Sequence, residues 1–363
     1  MNVVFLDRDG TLIVEPPDEQ VDSLEKLELI PNVFEGLRLL QSRGFNLVMV
    51  TNQDNLGTSR YPKDKYELVQ GKLMKLFKGE GISFERVLVC PHDASENCSC
   101  RKPKTGLVDE FVKEMKIDLS RSYVVGDRQT DVQFAKNLGC KAIRLTSDES
   151  VQADFVSERF LEICQYIIRQ NRTVRIDRTT SETNISVEVC LVGTGENKIS
   201  TRIGFFDHML AQISKHSGIN MNIVVQGDLN VDEHHSVEDT GLVIGDAIRQ
   251  ALGDKKGIER YGFVLPMDES LAQVALDIGG RSFCSFKATF EREKIGELPT
   301  ELIEDFFRAL ADGLRANLHI TVSGRNDHHK CEAIFKAVGR ALRQAIFQNA
   351  QFSDILPTTK GSL

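Results

Sequence analysis

His234-His235-Ser236-Val237-Glu238 returns further along the chain as His328-His329-Lys330-Cys331-Glu332. Two neighbouring histidines followed by a carboxylate thus occur twice in a chain with only 8 histidines. The flanks repeat as well. Phe205-Phe206 and Phe306-Phe307 stand ahead of the two pairs, and Arg249-Gln250-Ala251 and Arg343-Gln344-Ala345 follow them at equal distance. A chance pairing or a solvated turn would not copy its surroundings, so this half of the chain reads as an internal duplication. On a helix, residues four apart share a face while neighbours point about 100° apart. His234 and Glu238 can then share one metal ion, with His235 aimed at another. His328, Glu332 and His329 repeat the arrangement. The pattern predicts a paired-metal centre joining two repeats or two subunits. Imidazole and carboxylate donors without a nearby thiolate pair suit manganese, iron or zinc.

Working outward, residues 172–178 and 183–189 alternate as half-buried strands do. Met209, Leu210 and Ile213 give a helical apolar face. Strands are expected at 221–225 and 319–322, and helices at 240–252 and 333–346. Each repeat reads as strands with helices packed on one face, a two-layer α+β unit used twice.

The chain has 363 residues, 41% hydrophobic and 27% charged, which predicts two domains with separate cores. Its net charge is −8 and its basic residues are scattered, which argues against nucleic acid or an anionic membrane as partner. Met1-Asn2-Val3-Val4-Phe5-Leu6 runs straight into an acidic motif with no cleavable leader, and no apolar run approaches the roughly 18 residues of a membrane span. A cytoplasmic protein is expected, and in that compartment the eight cysteines should be reduced or metal-bound.

The first half opens with an apolar strand that ends in Asp7-Arg8-Asp9-Gly10-Thr11. Two aspartates beside a tight turn at a strand's carboxyl end lie where open α/β sheets bind ligands. Such a pair can hold Mg²⁺ and still supply a nucleophile and an acid/base. A second strand, 45–50, ends in Thr51-Asn52-Gln53, whose hydroxyl and amide suit phosphate oxygens. Arg101-Lys102-Pro103-Lys104 brings cations, and a third strand ends in Gly126-Asp127. Cys90, His92, Cys98 and Cys100 lie on two short arms and form a closed tetrahedral zinc set that pins the loop before Lys102. Residues 151–169 read as a strand-like turn and a helix carrying Phe155, Phe160, Leu161, Ile163, Cys164, Ile167 and Ile168. The domain boundary is placed at 168, giving domains 1–168 and 169–363.

These motifs, in this order, resemble the haloacid-dehalogenase-type phosphatases, with a Rossmann-like α/β domain. The resemblance implies that Asp7 attacks phosphorus and that Asp9 protonates the leaving oxygen and then activates water. It implies that Thr51, Asn52 and Lys102 bind the phosphoryl group, and that Asp7, Asp9 and Asp127 hold Mg²⁺. The zinc loop is similar to the branch containing histidinol-phosphatase and heptose-bisphosphate phosphatase.

In the second half, Phe205-Phe206-Asp207-His208-Met209-Leu210, the stretch from His234 to Thr240, and Asn326-Asp327-His328-His329 resemble imidazoleglycerol-phosphate dehydratase over essentially all of 172–363. The resemblance implies two Mn²⁺ ions held by His208, His234, His235, Glu238, His319, His328, His329 and Glu332. It further implies Glu182 as a substrate-contacting acid, with Arg260, Arg281, Lys330 and Lys360 holding the substrate's phosphate. A substrate imidazole held between two cations can lose its N–H and push out a hydroxyl through the ring, so no organic cofactor is needed. The repeat is imperfect: His319 matches Asn222, and His208 has no counterpart.

The dehydratase family implies a shell of 24 subunits with sites completed between neighbours. Together the halves resemble the bifunctional enzymes of histidine biosynthesis, which favours histidinol phosphate as the phosphatase substrate. A sugar-bisphosphate phosphatase is the alternative for the first half, and a metal-storing scaffold is the non-enzymatic reading.

Overall fold

The computed structural model describes every residue except 149, 151, 350, 351, 353, 354 and 362, and the backbone alone at 263–266. It divides into two compact units, Met1–Ile168 and Arg169–Leu363. No helix among the described residues is long and apolar enough to cross a membrane.

The first unit contains β1 (Val3–Leu6), α1 (Val33–Gln41), β2 (Asn46–Asn52), α2 (Lys63–Gly79), β3 (Arg86–Cys90), α3 (Asp109–Glu114), β4 (Tyr123–Gly126), α4 (Gln129–Leu138), β5 (Lys141–Leu145), β6 (Phe155–Ser157) and most of α5 (Phe160–Asn171), whose last three residues fall past the division. Its six strands lie in the order β3-β2-β1-β4-β5-β6, all parallel. Val3, Val4, Phe5 and Leu6 are wholly buried, as a central parallel strand covered on both faces requires. The strand order reverses between β1 and β4, and the crevice beyond their carboxyl ends is the ligand position of such sheets. Asp7 and Asp127 are the first residues past those two ends. Phe155 lies in β6 rather than in the helix and stacks on Tyr166. Val151, the start of the expected turn, lies outside the described residues.

The second unit contains β7 (Thr173–Thr179), β8 (Thr183–Cys190), β9 (Asn197–Ser200), α6 (Gly204–Ser217), β10 (Asn220–Gly227) and α7 (His234–Leu252). The series then repeats as β11 (Tyr261–Met267), β12 (Ser270–Asp277), β13 (Phe283–Lys287), α8 (Leu302–Leu314), β16 (Asn317–Ser323) and α9 (Asp327–Ala345), with the small hairpin β14 (Lys294–Ile295) and β15 (Leu298–Pro299) inserted before α8. The two four-stranded sheets have equivalent orders, β7-β8-β10-β9 and β11-β12-β16-β13. In each, the last-formed strand pairs antiparallel on one side and parallel on the other. The duplication read from the sequence is therefore a duplication of topology.

Each sheet carries two helices, and the repeats join helix to helix: α7 packs on α8 and α6 on α9. Glycines permit the closest approach. A Cβ on Gly313 would stand 2.1 Å from the Leu242 carbonyl oxygen, and one on Gly245 would stand 2.4 Å from that of Leu310. Those are backbone atoms and cannot swing aside. Gly313→Ala should therefore cost about 1–3 kcal/mol by overpacking, read as a lower denaturation midpoint of the second unit.

Both histidine pairs lie inside the first turn of their helices. The expected helices at 240–252 and 333–346 begin six residues earlier, at His234 and Asp327. Asn326 caps α9 by accepting the His328 amide at 2.9 Å, and Asp232, one residue ahead of the α7 N-cap Glu233, accepts the His234 amide at 2.9 Å.

Candidate functional site

At the mouth of the first sheet, Asp7 is 8% exposed and Asp131 1%. Lys102, 4% exposed, reaches both, with Nζ 2.8 Å from Asp7 Oδ1 and 2.6 Å from Asp131 Oδ1. Ligand atoms of Asp7, Asp127 and Asp131 all lie within 4.8 Å of one another. Three carboxylates against one ammonium leave buried negative charge uncompensated. Burial pushes the Asp7 carboxyl up to about 7, opposed by Lys102 and reinforced by Asp131. Burial, then the charge of Asp131, lifts Asp127 to about 6. For Lys102 burial pulls downward, but Asp131 and Asp7 outweigh it and hold the ammonium above its ordinary range. This donor set fits a hard divalent cation. Gly10, at φ +72°, keeps the turn tight: a Cβ there would meet Asp127 Oδ2 at 2.4 Å.

Asp9 is gripped by Arg8, whose Nε and Nη2 donate to Oδ1 at 3.0 and 2.8 Å, and by Gln53 Nε2, which donates to Oδ2 at 2.5 Å. Gln53 also donates to the buried Thr51 hydroxyl at 2.7 Å. Asn52 and the Lys102 backbone exchange bonds of 3.1 and 3.3 Å, which fixes the lysine's main chain. Arg8, Gln53 and Asp131 are site residues to which the sequence reading assigned no role. Asp131 had a visible signal, because it lies four places after Asp127 at the start of a helix. These groups open on a cavity of about 330 Å³. Six carboxylates line it (Asp7, Asp9, Glu15, Asp18, Glu19 and Asp54) against the cations Arg101, Lys102 and Arg128.

Cys90, His92, Cys98 and Cys100 converge as expected from their spacing. Their sulfur–sulfur distances are 3.3–3.7 Å, and His92 Nδ1 lies 3.2 Å from Cys100 and 3.7 Å from Cys90. An ion with metal–sulfur bonds of about 2.3 Å has tetrahedral edges of about 3.8 Å, so the four donors already approach the shape of a zinc cage. Lys104 holds the loop from outside, donating to the carbonyls of Asn97 and Cys98. Arg101 ties the same loop to Asp54 and to the His92 carbonyl.

In the second unit the donors gather in parts. His328 Nε2 lies 3.8 Å from Glu332, and His208 Nε2, reaching over from α6, lies 4.0 Å from the same carboxylate. His234 Nε2 lies 3.4 Å from Glu238. His235 and His329 face away from these half-sites to other acids. His235 Nδ1 is 3.3 Å from Asp228 and its Nε2 is 3.6 Å from Glu182, while His329 Nδ1 is 2.9 Å from Glu269. The bond from His329 and the amide of Asn326 hold the Glu269 carboxyl down to about 2. His319 stands on the exposed side of β16 beside Phe283, at the position equivalent to Asn222 on β10. Among the described residues, these histidines and acids form no group of three ligand atoms within 4.8 Å.

Arg260, Arg281 and Lys360 do come together, lining a second cavity of about 640 Å³ with Thr358 and Thr359. Lys330 is not with them. It is 5% exposed, and its ammonium is taken up by Asp327 at 2.6 Å and the Thr289 carbonyl at 2.5 Å.

Comparison with known proteins adds to this geometry. A family model described as imidazoleglycerol-phosphate dehydratase matches residues 201–342, and one described as HAD-hydrolase-like matches residues 99–161. The chain is 47% identical over 361 residues to the histidine biosynthesis bifunctional protein HisB of Actinobacillus pleuropneumoniae, covering 99% of both chains. It is 47% identical over 375 residues to the protein of the same description from Bacteroides fragilis, again over 99% of each. A solved imidazoleglycerol-phosphate dehydratase from Staphylococcus aureus is 41% identical and covers 49% of this chain and 99% of its own, with a TM-score of 0.45.

Proposed function

The chain belongs to the family of bifunctional histidine-biosynthesis enzymes, with a phosphatase domain ahead of a dehydratase domain, and from that premise we propose how each half works. The first unit hydrolyses histidinol phosphate through an aspartyl phosphate. The second converts imidazoleglycerol phosphate to imidazole-acetol phosphate. Both halves belong to metal-dependent families, and the ions proposed are Mg²⁺ and Zn²⁺ in the first and Mn²⁺ in the second.

In the first unit Lys102 and the Arg8 amide both bind Asp7 Oδ1, so Oδ2 is the oxygen left to attack phosphorus. As that bond forms, the ester P–O bond breaks and Asp9 delivers a proton to the leaving oxygen. Asp9 then takes a proton from water, whose oxygen displaces Asp7 from phosphorus. Mg²⁺, held by Asp7, Asp127 and the Asp9 backbone carbonyl, would neutralise charge on the phosphoryl oxygens. Lys102 and Thr51 bind those oxygens, with Asn52 fixing the lysine.

The observation that carries the substrate is the acidic excess of the cavity rim, where Glu15, Asp18, Glu19 and Asp54 outnumber Arg101 and Arg128, the two guanidiniums that pair with three of them. An ester bearing an ammonium and an imidazole is drawn to such a rim, whereas a second phosphate, as in a sugar bisphosphate, is repelled. Phosphate release from histidinol phosphate should therefore exceed that from heptose bisphosphate. The opposite preference would overturn the assignment.

The zinc cage is a structural element just ahead of Lys102. Cys98→Ser should reduce bound zinc from about one ion per chain to none and destabilise the first unit by roughly 3 kcal/mol or more. Metal analysis and thermal unfolding check this, and dehydration should be unaffected.

In the second unit, His208, His328 and Glu332 would hold one ion and His234 and Glu238 another. His235 and His329 would supply arms to the half-sites of neighbouring subunits. That these donors do not gather among the described residues of one chain supports sites completed between subunits, as do exposed apolar residues such as Val224, Leu271 and Phe283 on the strands, and the number proposed is the family's 24. Bound Mn²⁺ would favour loss of the substrate's ring proton. Glu182 carries a proton at the substrate carbon. Arg260, Arg281 and Lys360 bind the phosphate, while Lys330 ties the first turn of α9 to the loop after β13 through Asp327 and Thr289.

A further inference from the structure

The duplication pairs Glu182 with an acid that the sequence reading passed over. Glu182 immediately precedes β8 and Glu269 immediately precedes β12, and these strands are equivalent in the two sheets. Each acid meets the second histidine of its repeat, but on different ring atoms. Glu182 lies 3.6 Å from Nε2 of His235. Glu269 Oε2 lies 2.9 Å from Nδ1 of His329, and its Oε1 also accepts the Asn326 amide at 3.0 Å.

In the first repeat the Nδ1 side belongs to Asp228, at 3.3 Å from His235. Asp228 follows Gly227 at the end of β10. The residue after the matching Gly324 is Arg325, which cannot accept a hydrogen bond. The second repeat therefore lacks the Asp228 equivalent, and Glu269 occupies that role.

We propose that the duplicated glutamate has divided into two functions: Glu269 is a positioning residue that holds His329 with Nδ1 protonated and Nε2 free for metal, whereas Asp228 does this for His235 and so leaves Glu182 available to the substrate. A ligating histidine normally gives its other ring N–H to such an acceptor, which fixes both tautomer and ring orientation. Glu269 has both oxygens committed, one to the ring and one to the α9 cap, and is thereby immobilised. Glu182 instead lies 3.6 Å from Nε2 of His235, the ring atom that would ligate the metal. The inference rests on the proposed metal role of His235 and His329.

The test is a Mn²⁺ titration of the full-length apo-protein, followed by the paramagnetic signal of free Mn²⁺, on wild type and on Glu269→Ala, Asp228→Ala and Glu182→Gln. Glu269→Ala and Asp228→Ala should each weaken Mn²⁺ binding roughly 10–100-fold. Glu182→Gln should keep the wild-type isotherm and lose kcat for dehydration. If Glu269→Ala only lowers the melting temperature and leaves the isotherm within about two-fold, Glu269 is a helix cap and the division of roles is wrong. If Glu182→Gln weakens Mn²⁺ as much as Glu269→Ala, the two acids are not divided. Absence of Mn²⁺ binding by the wild type would instead remove the metal reading itself, which separates the two failures.

Discussion

Asp7→Asn should lower phosphate release from histidinol phosphate by roughly 10⁴-fold or more, the scale of losing a nucleophile that acts with its partners as a unit. Dehydration of imidazoleglycerol phosphate by the same protein should be unchanged. The substitution is isosteric, so the cavity keeps its shape, but it removes the attacking oxyanion and one of three carboxylates available to the cation. It also removes a penalty. In the folded protein burial pushes the Asp7 carboxyl up to about 7. A carboxyl whose folded pKa is raised destabilises the fold at pH values above its unfolded pKa of about 4. A neutral amide does not incur that cost. The melting temperature of the variant at pH 7 should accordingly equal or exceed that of the wild type, which separates lost chemistry from lost structure. Retained phosphatase activity would mean another nucleophile. Loss of both activities in a folded protein would mean that the two units do not act independently.

The sequence was most legible where chemistry and chain position coincide. Asp7, Thr51 and Asp127 sit at or next to strand ends, and a parallel sheet brings such ends together without further information, whereas Lys102 arrives on the loop after β3 and is fixed by Asn52. The four zinc donors converge because ten residues of loop can hardly do otherwise. Contacts made across the fold were hidden. Nothing in the order of residues announces that Gln53 bridges Asp9 and Thr51, or that Glu269 reaches His329 sixty positions away. Lys330 illustrates the opposite problem. Its place beside the histidine pair reads as a substrate cation, but one helical turn brings it onto Asp327 and into the core. The helix starts were misplaced because apolar periodicity begins late in α7 and α9, whereas the cap Asn326 and the Asp232 bond to the His234 amide mark the true beginnings.

His328→Ala should lower dehydration on the order of 10³-fold or more and leave phosphate release intact. His328 and His208 approach Glu332 from two helices, at 3.8 and 4.0 Å, and the ring of Phe205 lies 5.3 Å from that of His328. These gaps are too long for hydrogen bonds, and the two imidazoles flank the carboxylate on which the proposed half-site centres. Lys336, 2.9 Å from Glu332, ion-pairs with the carboxylate and fixes its position. Without His328 one imidazole and one carboxylate of the half-site remain, too few to retain the cation against water. A Lewis acid contributes several kcal/mol to a reaction of this kind, and each 1.4 kcal/mol or so is a factor of ten in rate. Chelation of the wild type should produce the same loss, with one difference: added Mn²⁺ should restore the chelated wild type and fail to restore His328→Ala. His216 is the control. It lies half-buried on α6, its Cβ packed where the helix meets Gly339 of α9, and burial lowers its pKa. Replacing it with alanine should change dehydration only a few-fold. Equal losses in His216→Ala and His328→Ala would show that any histidine of this helical layer matters through packing. The half-site formed by His208, His328 and Glu332 would then have no special claim to the metal.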